Sequence, residues 1–149
     1  MSSLSEKNKR FYSWNSTEYW KAVELRRIVL RFPLGKNYVQ GDFDAEENEL
    51  FFGCFSDHEH CLSSISAKNL DATTWKMRQF VVHPSFQKCG IGKEMVAFYE
   101  QEARATGIKK IEFHARKTAV KFYQNLGYLL EGEEFLEVGI PHFKMKKTL

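Results

Sequence analysis

The sequence has little of what marks secreted or membrane proteins. Its 149 residues include three cysteines, an odd number without a CxxC pair, which argues against a disulfide framework and favours a reducing compartment. No apolar run approaches the ~20 residues that a membrane-spanning helix needs. The polar start, MSSLSEKNKR, has no apolar core for a signal peptide. We therefore expect a cytoplasmic protein with no membrane partner.

A large charge of one sign is also missing. Lysine and arginine number 22 against 19 acidic residues, a net charge of +3. Binding driven by nucleic-acid phosphates needs a dense basic stripe, so we expect no nucleic-acid partner. The content of 43% hydrophobic and 15% aromatic residues excludes a disordered chain. It predicts one domain over residues 1–149, with the first ten residues frayed.

Apolar spacing and turn residues predict an α/β domain of mixed α+β type. A loop is expected over residues 35–48, and the polar residues 57–60 are expected to close a hairpin. The element order is β-α-β-β-β-α-β-α-β-β, with two of the strands parallel neighbours. Strands are predicted over 11–14, 49–56, 61–70, 73–83, 110–115, 128–131 and 140–147, and helices from Ser16 to about Arg31, from Gly90–Gly92 to Gly107, and over 118–126.

The stretch of residues 77–103 carries the clearest chemistry. A predicted buried strand enters a loop that contains Gly90 and Gly92, and a long helix begins there. Glycines let backbone N–H groups turn inward, and a helix N-terminus adds about half a positive charge, so the loop suits a phosphate. A Walker A loop is excluded because Glu94 stands where serine or threonine is needed, and a dinucleotide fingerprint is excluded because Met95 occupies its third glycine position.

Two motifs carry a family resemblance. The pattern Gln87-x-x-Gly90-x-Gly92, after a strand ending in Val-His-Pro, resembles the acetyl-CoA signature of the GNAT superfamily of N-acetyltransferases. Downstream, the segment from Ala119 through Phe122-Tyr123 to Gly127-Tyr128 resembles a second motif of that superfamily. The resemblance implies a GNAT-like twisted mixed sheet of about six or seven strands, with helices on both faces and splayed central parallel strands.

The same resemblance implies acetyl-CoA as a co-substrate. Backbone groups of the strand end would pair with the pantetheine like an added strand, and backbone N–H groups of the loop would hold the pyrophosphate. Arg116 stands where the superfamily often has an asparagine, and it could reach a CoA phosphate or be exposed. The implied cofactor-binding residues are Phe80, Val81, Val82, Gln87, Lys88, Cys89, Gly90, Ile91, Gly92, Lys93 and Arg116.

Three side chains are candidates for the catalytic steps that the resemblance implies. Tyr123 would donate a proton to the departing CoA thiolate, unless it is only a core residue. His142 is a candidate base because imidazole ordinarily titrates near neutral pH, and Glu137 could recruit water or anchor a cationic acceptor. A capping histidine and a solvated acid are the alternatives for His142 and Glu137.

The sequence therefore favours an acetyl-CoA-dependent N-acetyltransferase that acts on a small-molecule or peptide amine by direct attack. A non-catalytic acyl-CoA-binding module and a partner-binding domain with an empty cleft stay open as alternative functions, and the superfamily's edge-strand dimers suggest a homodimer.

Arg26 and Arg27 could bind an acidic substrate or be exposed helix charges. A metal site is not expected, since the spacing of Cys54, His58, His60 and Cys61 matches no zinc site.

Overall fold

The computed structural model describes residues 8–149, which form one seven-stranded mixed sheet. The strand order is β1-β2-β3-β4-β5-β7-β6, and only the β4–β5 pair is parallel among these neighbours. The strands are β1 (Lys9–Tyr12), β2 (Leu50–Phe55), β3 (Cys61–Asp71), β4 (Thr74–Val82), β5 (Lys110–Arg116), β6 (Leu129–Glu137) and β7 (Ile140–Thr148). The helices are α1 (Thr17–Arg26), α2 (Gln40–Asp44), α3 (Ile91–Ala105) and α4 (Val120–Asn125).

Helices cover both faces of the sheet, as the sequence predicts. On one face, α1 and α2 bury Tyr19, Val23 and Phe43. On the other face, α3 and α4 pack against Trp75 and Ile111. The burial pattern of α3 follows from its apolar residues at helical spacing, which face the sheet together. Of the helices within residues 8–149, none has the length and apolar character needed to cross a membrane.

Several predicted boundaries are wrong. Lys9 and Arg10, expected to be frayed, pair with β2 in strand β1. Residues 1–7, for which the same was expected, lie outside the described residues. The predicted loop 35–48 contains α2, which forms because Phe43 is buried and the Asp42 carboxylate accepts the Val39 N–H at 2.9 Å. The predicted strand 128–131 continues as β6 to Glu137, where a turn leads into β7.

The end of the first helix also departs from its expected form. Regular α-helix stops at Arg26, after which residues 27–31 form a π turn and residues 32–34 a 3-10 turn, ended by Gly35 in the left-handed conformation (φ 68°). The wider turn brings Val29, Leu30 and Arg31 to the cleft described below. Proline at position 33 and glycine at 35 end the segment, as predicted.

A buried ion pair holds α1 to the segment that follows it. Arg26 is 1% exposed and donates two hydrogen bonds to the Glu46 carboxylate, at 3.0 and 2.5 Å. Its Nε donates to the Tyr38 hydroxyl at 3.0 Å, which in turn donates to Gln79 Oε1 of β4 at 3.3 Å. Both interpretations considered for Arg26, a substrate ligand and an exposed charge, are therefore wrong, whereas Arg27 is half-exposed and pairs with Glu24.

Replacing Glu46 with alanine should lower the free energy of unfolding by about 3–5 kcal/mol, since it leaves the Arg26 guanidinium buried without its carboxylate. Urea unfolding measures the change. Glu24→Ala removes a comparable carboxylate from the exposed Arg27 and should cost about 0–1 kcal/mol. Equal losses in the two variants would show that the buried pair does not hold this part of the fold.

Candidate active site

The two parallel strands at the centre of the sheet separate after a short paired stretch. Residues Thr74–Lys76 of β4 pair with Lys110–Glu112 of β5, and the pairing ends there. Gln79 has a positive φ of 54°, and the β3–β4 register shifts between Ser64 and Ser66, so β4 carries a bulge. A bulge bends its strand and increases the local twist. The β5-facing edge of β4 beyond Lys76 is therefore left without a strand partner.

A cleft of about 480 Å³ occupies this gap. Its walls come from the C-terminal turns of the first helix, from β4 and β5 where they separate, from the start of α4, and from the β6–β7 turn with the first residues of β7. Five of the residues singled out from the sequence line it: Phe80, Arg116, Tyr123, Glu137 and His142. The loop residues 87–93 lie beyond the end of β4 and outside this lining.

The loop between β4 and α3 has a backbone suited to an anion. Lys88 and Gly90 both adopt the left-handed conformation, with φ of 65° and 87°. Glu94 donates its N–H to the Gly90 carbonyl at 3.0 Å, whereas the N–H groups of residues 88–93 have no acceptor within residues 8–149. Gly90 is the N-cap of α3 and offers no side-chain cap. The free N–H groups and the helix N-terminus together favour negative charge at this position.

Most side chains of the loop are exposed or hydrogen-bonded to the protein's own main chain. Those of residues 87–90 and of Lys93 are exposed, while Ile91 is buried in the core. The Gln87 amide donates to the Val82 carbonyl at 3.3 Å, and the Cys89 thiol donates to the Phe86 carbonyl at 2.6 Å. An anion bound here would be held by the main chain, as the resemblance implies.

The end of β4 presents alternate side chains to opposite faces. Phe80 and Val82 pack against the core under α3, whereas Val81 is buried under α1. A Cβ added at Gly92 would lie 3.5 Å from Val82 and Phe122 and 3.6 Å from Phe80. The first turn of α3 therefore runs close against the end of β4, with room at Gly92 for little more than a methyl group.

Tyr123 projects from α4 into the cleft. Its ring packs against Phe113, with ring centres 4.5 Å apart, and also contacts Phe80 and Tyr128. Burial raises the pKa of its hydroxyl above the ordinary value, so the neutral phenol is the stable form. Within residues 8–149 the hydroxyl has no hydrogen-bond partner, although it borders the cleft. The phenol can therefore donate a proton or a hydrogen bond to a bound molecule.

Two histidines converge on one carboxylate at the other wall. His142 is 5% exposed, and its Nδ1–H donates to the Ile140 carbonyl at 2.7 Å. A carbonyl oxygen only accepts, so the proton of a neutral His142 sits on Nδ1 and its Nε2 carries the lone pair. Nε2 lies 3.5 Å from Glu137 Oε2, and His114 Nδ1 lies 2.9 Å from Glu137 Oε1. The Glu137 carboxylate is therefore placed to stabilise positive charge on His142.

His114 is the site residue that sequence reasoning missed. It lies on β5 between the buried residues Phe113 and Ala115, so strand alternation places it on the same face as Arg116. Arg116 lies opposite His142 in the β5–β7 register. The alternation of apolar and polar residues in β5 could have predicted that His114 lies on the same face as Arg116. The contact between His114 and Glu137, however, depends on β6 extending further than the sequence pattern indicated.

The hairpin residues considered for zinc do not form a cluster. Cys54 and Cys61 are buried, and burial raises the pKa of both thiols. His58 and His60 lie in the exposed turn between β2 and β3. Across residues 8–149, no three histidine, cysteine, aspartate or glutamate side chains come together as metal ligands would.

Comparison with known proteins agrees with this architecture. Residues 34–149 match the family described as the acetyltransferase (GNAT) domain. The chain is 30% identical over 117 residues to the uncharacterised N-acetyltransferase YjcF of Bacillus subtilis. This alignment covers 73% of this chain and 78% of YjcF. It is 34% identical over 76 residues to YyaT of the same organism, a match that spans about half of each protein, 51%.

A solved structure shares the fold. An aminoglycoside 6′-N-acetyltransferase crystallised with coenzyme A superimposes with a TM-score of 0.77 over 94% of this chain and 96% of that one, at 18% identity. This likeness concerns the fold, and the family follows from the match over residues 34–149. The splayed parallel strands, the glycine loop at the start of α3 and the match over most of the chain lead to one conclusion: the chain belongs to the GNAT acetyltransferase family.

Proposed function

We propose that this protein is an N-acetyltransferase that moves the acetyl group of acetyl-CoA directly to an amine in a ternary complex. The observation that carries the proposal is the open edge of β4, which runs from the cleft to the loop with free N–H groups. A CoA molecule laid along that edge would place its diphosphate at residues 88–93. Its pantetheine amides would pair with the strand, and its thioester would reach the cleft.

The acceptor amine must lose a proton before it attacks. An alkylamine with a pKa near 10.4 is neutral in about 1 molecule in 2,500 at pH 7, which costs ~4.6 kcal/mol. His142 lines the cleft, and its Nε2, which carries the lone pair, is our proposed proton acceptor. Glu137, at 3.5 Å, would stabilise the resulting imidazolium, and His114 would hold the carboxylate in place.

The bonds then exchange at the acetyl carbonyl carbon. The amine nitrogen forms a bond to that carbon, the carbon–sulfur bond breaks, and the electron pair leaves on sulfur. The Tyr123 hydroxyl donates its proton to this sulfur, while the proton lost by the amine resides on His142. The nitrogen is positively charged once it is bonded to carbon, and it then loses its second proton, which returns through water to the Tyr123 phenolate. His142 releases its proton to solvent, and the products are an N-acetylated amine and free CoA.

A thiol-release assay tests the proposal. Acetyl-CoA is incubated with the protein and with polyamines, amino acids, aminoglycosides or peptides that have free N-termini, and free CoA is measured. We expect release that depends on at least one amine, together with a product heavier by one acetyl group in mass spectrometry. If acetyl-CoA binds in calorimetry but no amine causes release of CoA, the protein is a non-catalytic acyl-CoA-binding module. If CoA does not bind, the protein is a domain with an empty cleft.

His142→Ala is expected to lower kcat by about tenfold, below the ~10²-fold typical of a dedicated base, because water in an open cleft can carry the proton in its place. Steady-state kinetics with a substrate from the screen measures the change. His60→Ala removes an imidazole from the exposed β2–β3 turn and should leave kcat unaltered. A rise in KM with kcat unchanged would indicate that His142 binds the acceptor and takes no proton.

The homodimer implied by the family's edge-strand dimers stays a prediction. β6 is an edge strand of the sheet and exposes Leu129 and Leu136, and Val138 is exposed in the turn that follows it. Cytoplasmic location and the absence of nucleic-acid partners likewise stay predictions.

A further inference from the structure

The cleft is lined by an excess of positive charge. Its lining includes Arg31, Lys36, Lys76, Arg78 and Arg116, whereas Glu137 is its carboxylate. The Glu137 carboxylate, which lies beside two histidines, offsets no more than one of these five positive charges. This imbalance is local, because the whole chain carries a net charge of only +3.

Apart from Arg116, three of these cations have no carboxylate partner within residues 8–149. Arg31 lies over the Tyr38 ring at 4.4 Å, and neither Lys36 nor Lys76 forms an ion pair or side-chain hydrogen bond there. Arg78, by contrast, pairs with the buried Glu49. Arg116 also has no carboxylate partner there, but it is set aside because the family resemblance implies a role for it at the cofactor.

The neighbouring acid is already engaged. Glu112 lies opposite Lys76 in the β4–β5 register, yet its carboxylate contacts Lys110 at 3.1 Å and Lys144 at 3.9 Å. Lys76 also borders a smaller recess of about 230 Å³ that adjoins the cleft. Its ammonium group is therefore available to a molecule bound in the cleft.

The three unpaired cations lie on the α1 face of the sheet. Trp75 and Met77 are buried in the core under α3, so strand alternation directs Lys76 to the opposite face. Arg31 and Lys36 follow α1 on that same face, while Tyr123 and the first turn of α3 belong to the other. If CoA enters from the α3 face, the molecule on the α1 face is the acceptor.

We propose that the acceptor is a small amine that also carries an anionic group, a carboxylate or a phosphate, which Arg31, Lys36 and Lys76 bind. This inference rests on the proposed function. The cations would attract such an acceptor and disfavour the ammonium form of its amine, since a like charge nearby lowers an amine pKa. The apolar residues Val29 and Leu30 would contact its carbon skeleton. A polycationic amine is repelled by the same lining.

Paired acceptors test the proposal. We would measure kcat/KM for glucosamine 6-phosphate against glucosamine, for glutamate against its diamide, and for the polycations spermidine and kanamycin. The anionic member of at least one pair should be acetylated about 10- to 100-fold more efficiently than its neutral partner, the range expected for hydrogen bonds between charged groups. A preference for the neutral members or the polycations would overturn the inference while leaving the proposed function intact.

Charge variants locate the effect. Lys76→Met and Lys36→Met should each reduce the anionic-to-neutral ratio by about fivefold or more, with little change for the neutral acceptor, and Lys76→Arg should restore it. Lys109→Met removes an exposed cation that precedes β5 and does not line the cleft, and it should leave the ratio unchanged. Equal ratios in all the variants would overturn the inference.

A binding measurement separates this inference from the proposed function. Calorimetry on CoA-saturated protein compares the affinity of glucosamine 6-phosphate with that of glucosamine, whether or not turnover occurs. Tighter binding of the phosphate, lost in Lys76→Met, supports the anion site even if acetyl transfer fails. Equal affinity of the two sugars, together with equal affinity of glutamate and its diamide, contradicts the site even if another amine is acetylated.

Discussion

Gly92→Leu is expected to abolish detectable acetyl-CoA binding, with an affinity loss of about 100-fold or more, while the domain stays folded. A Cβ at this position fits at 3.5 Å from Val82 and Phe122. We expect the larger branched end of leucine, which lies in the first turn of α3, to occupy space next to the N–H groups at the start of that helix. Those N–H groups have no acceptor within residues 8–149, and the variant would cover them with carbon. The size of the loss reflects several charge-assisted hydrogen bonds to one diphosphate.

Calorimetry measures the affinity, and far-UV circular dichroism with urea unfolding reports whether the fold persists. Gly92→Ala is the matched control: its methyl group meets neighbours at ordinary contact distance, and Gly92 does not have a positive φ. Binding by the alanine variant should stay within about threefold of the parent protein, because no N–H group is covered. Unchanged affinity in the leucine variant would remove this loop from the cofactor site.

Tyr123→Phe is expected to lower kcat by ~10²-fold or more, the usual contribution of a positioned general acid. The substitution removes one hydroxyl that has no hydrogen-bond partner within residues 8–149, so the ring packing against Phe113 and Phe80 stays intact. Acetyl-CoA binding should therefore be preserved while thiol release becomes slow. Single-turnover kinetics with a saturating amine isolates this step.

Tyr99→Phe controls for the loss of a buried hydroxyl. Tyr99 lies on α3 in the core, and its hydroxyl is likewise unpartnered among the described residues. Its removal should leave kcat unchanged. If the two variants lose the same activity, Tyr123 acts only through packing.

The pH dependence follows from the burial of Tyr123. Because burial raises the pKa of this phenol above the ordinary 10.0, the proton-bearing form persists to higher pH than for a free tyrosine. The rate should therefore show no alkaline decline attributable to Tyr123 below pH ~10. A decline near pH 8 that disappears in Tyr123→Phe would contradict the assigned environment.

Sequence patterns predicted the central fold well because its elements carry strong local signals. The β4 strand, the glycine loop and α3 combine buried β-formers, left-handed turn positions and a regular apolar face. The strand–helix–strand pattern also predicted a pair of neighbouring parallel strands, and the structure confirms this pair as β4 and β5. The edge strand β6 was predicted too short because most of its residues are exposed, so its side chains show no alternation of burial.

The site was less predictable than the fold. Tyr123, Glu137 and His142 were identified as candidates, and the structure brings all three to one cleft. The pairing of His114 with Glu137 depends on the length of β6, and no local sequence pattern predicted that this strand extends to Glu137. The burial of Arg26 depends on Glu46, twenty residues away on a segment expected to be a loop. Contacts of this kind arise from tertiary packing between distant residues, and they produce no periodic pattern in the sequence.

The central claim is that main-chain N–H groups of residues 88–93 hold the diphosphate of CoA. Amide ¹H–¹⁵N chemical shifts of the labelled protein test it directly when CoA, dephospho-CoA and pantetheine are titrated in turn. We predict that these amides move strongly with CoA and dephospho-CoA, which contain the diphosphate, and stay in place with pantetheine, which lacks it. Equal shifts with all three ligands, or none at residues 88–93 while other residues respond, would contradict the claim.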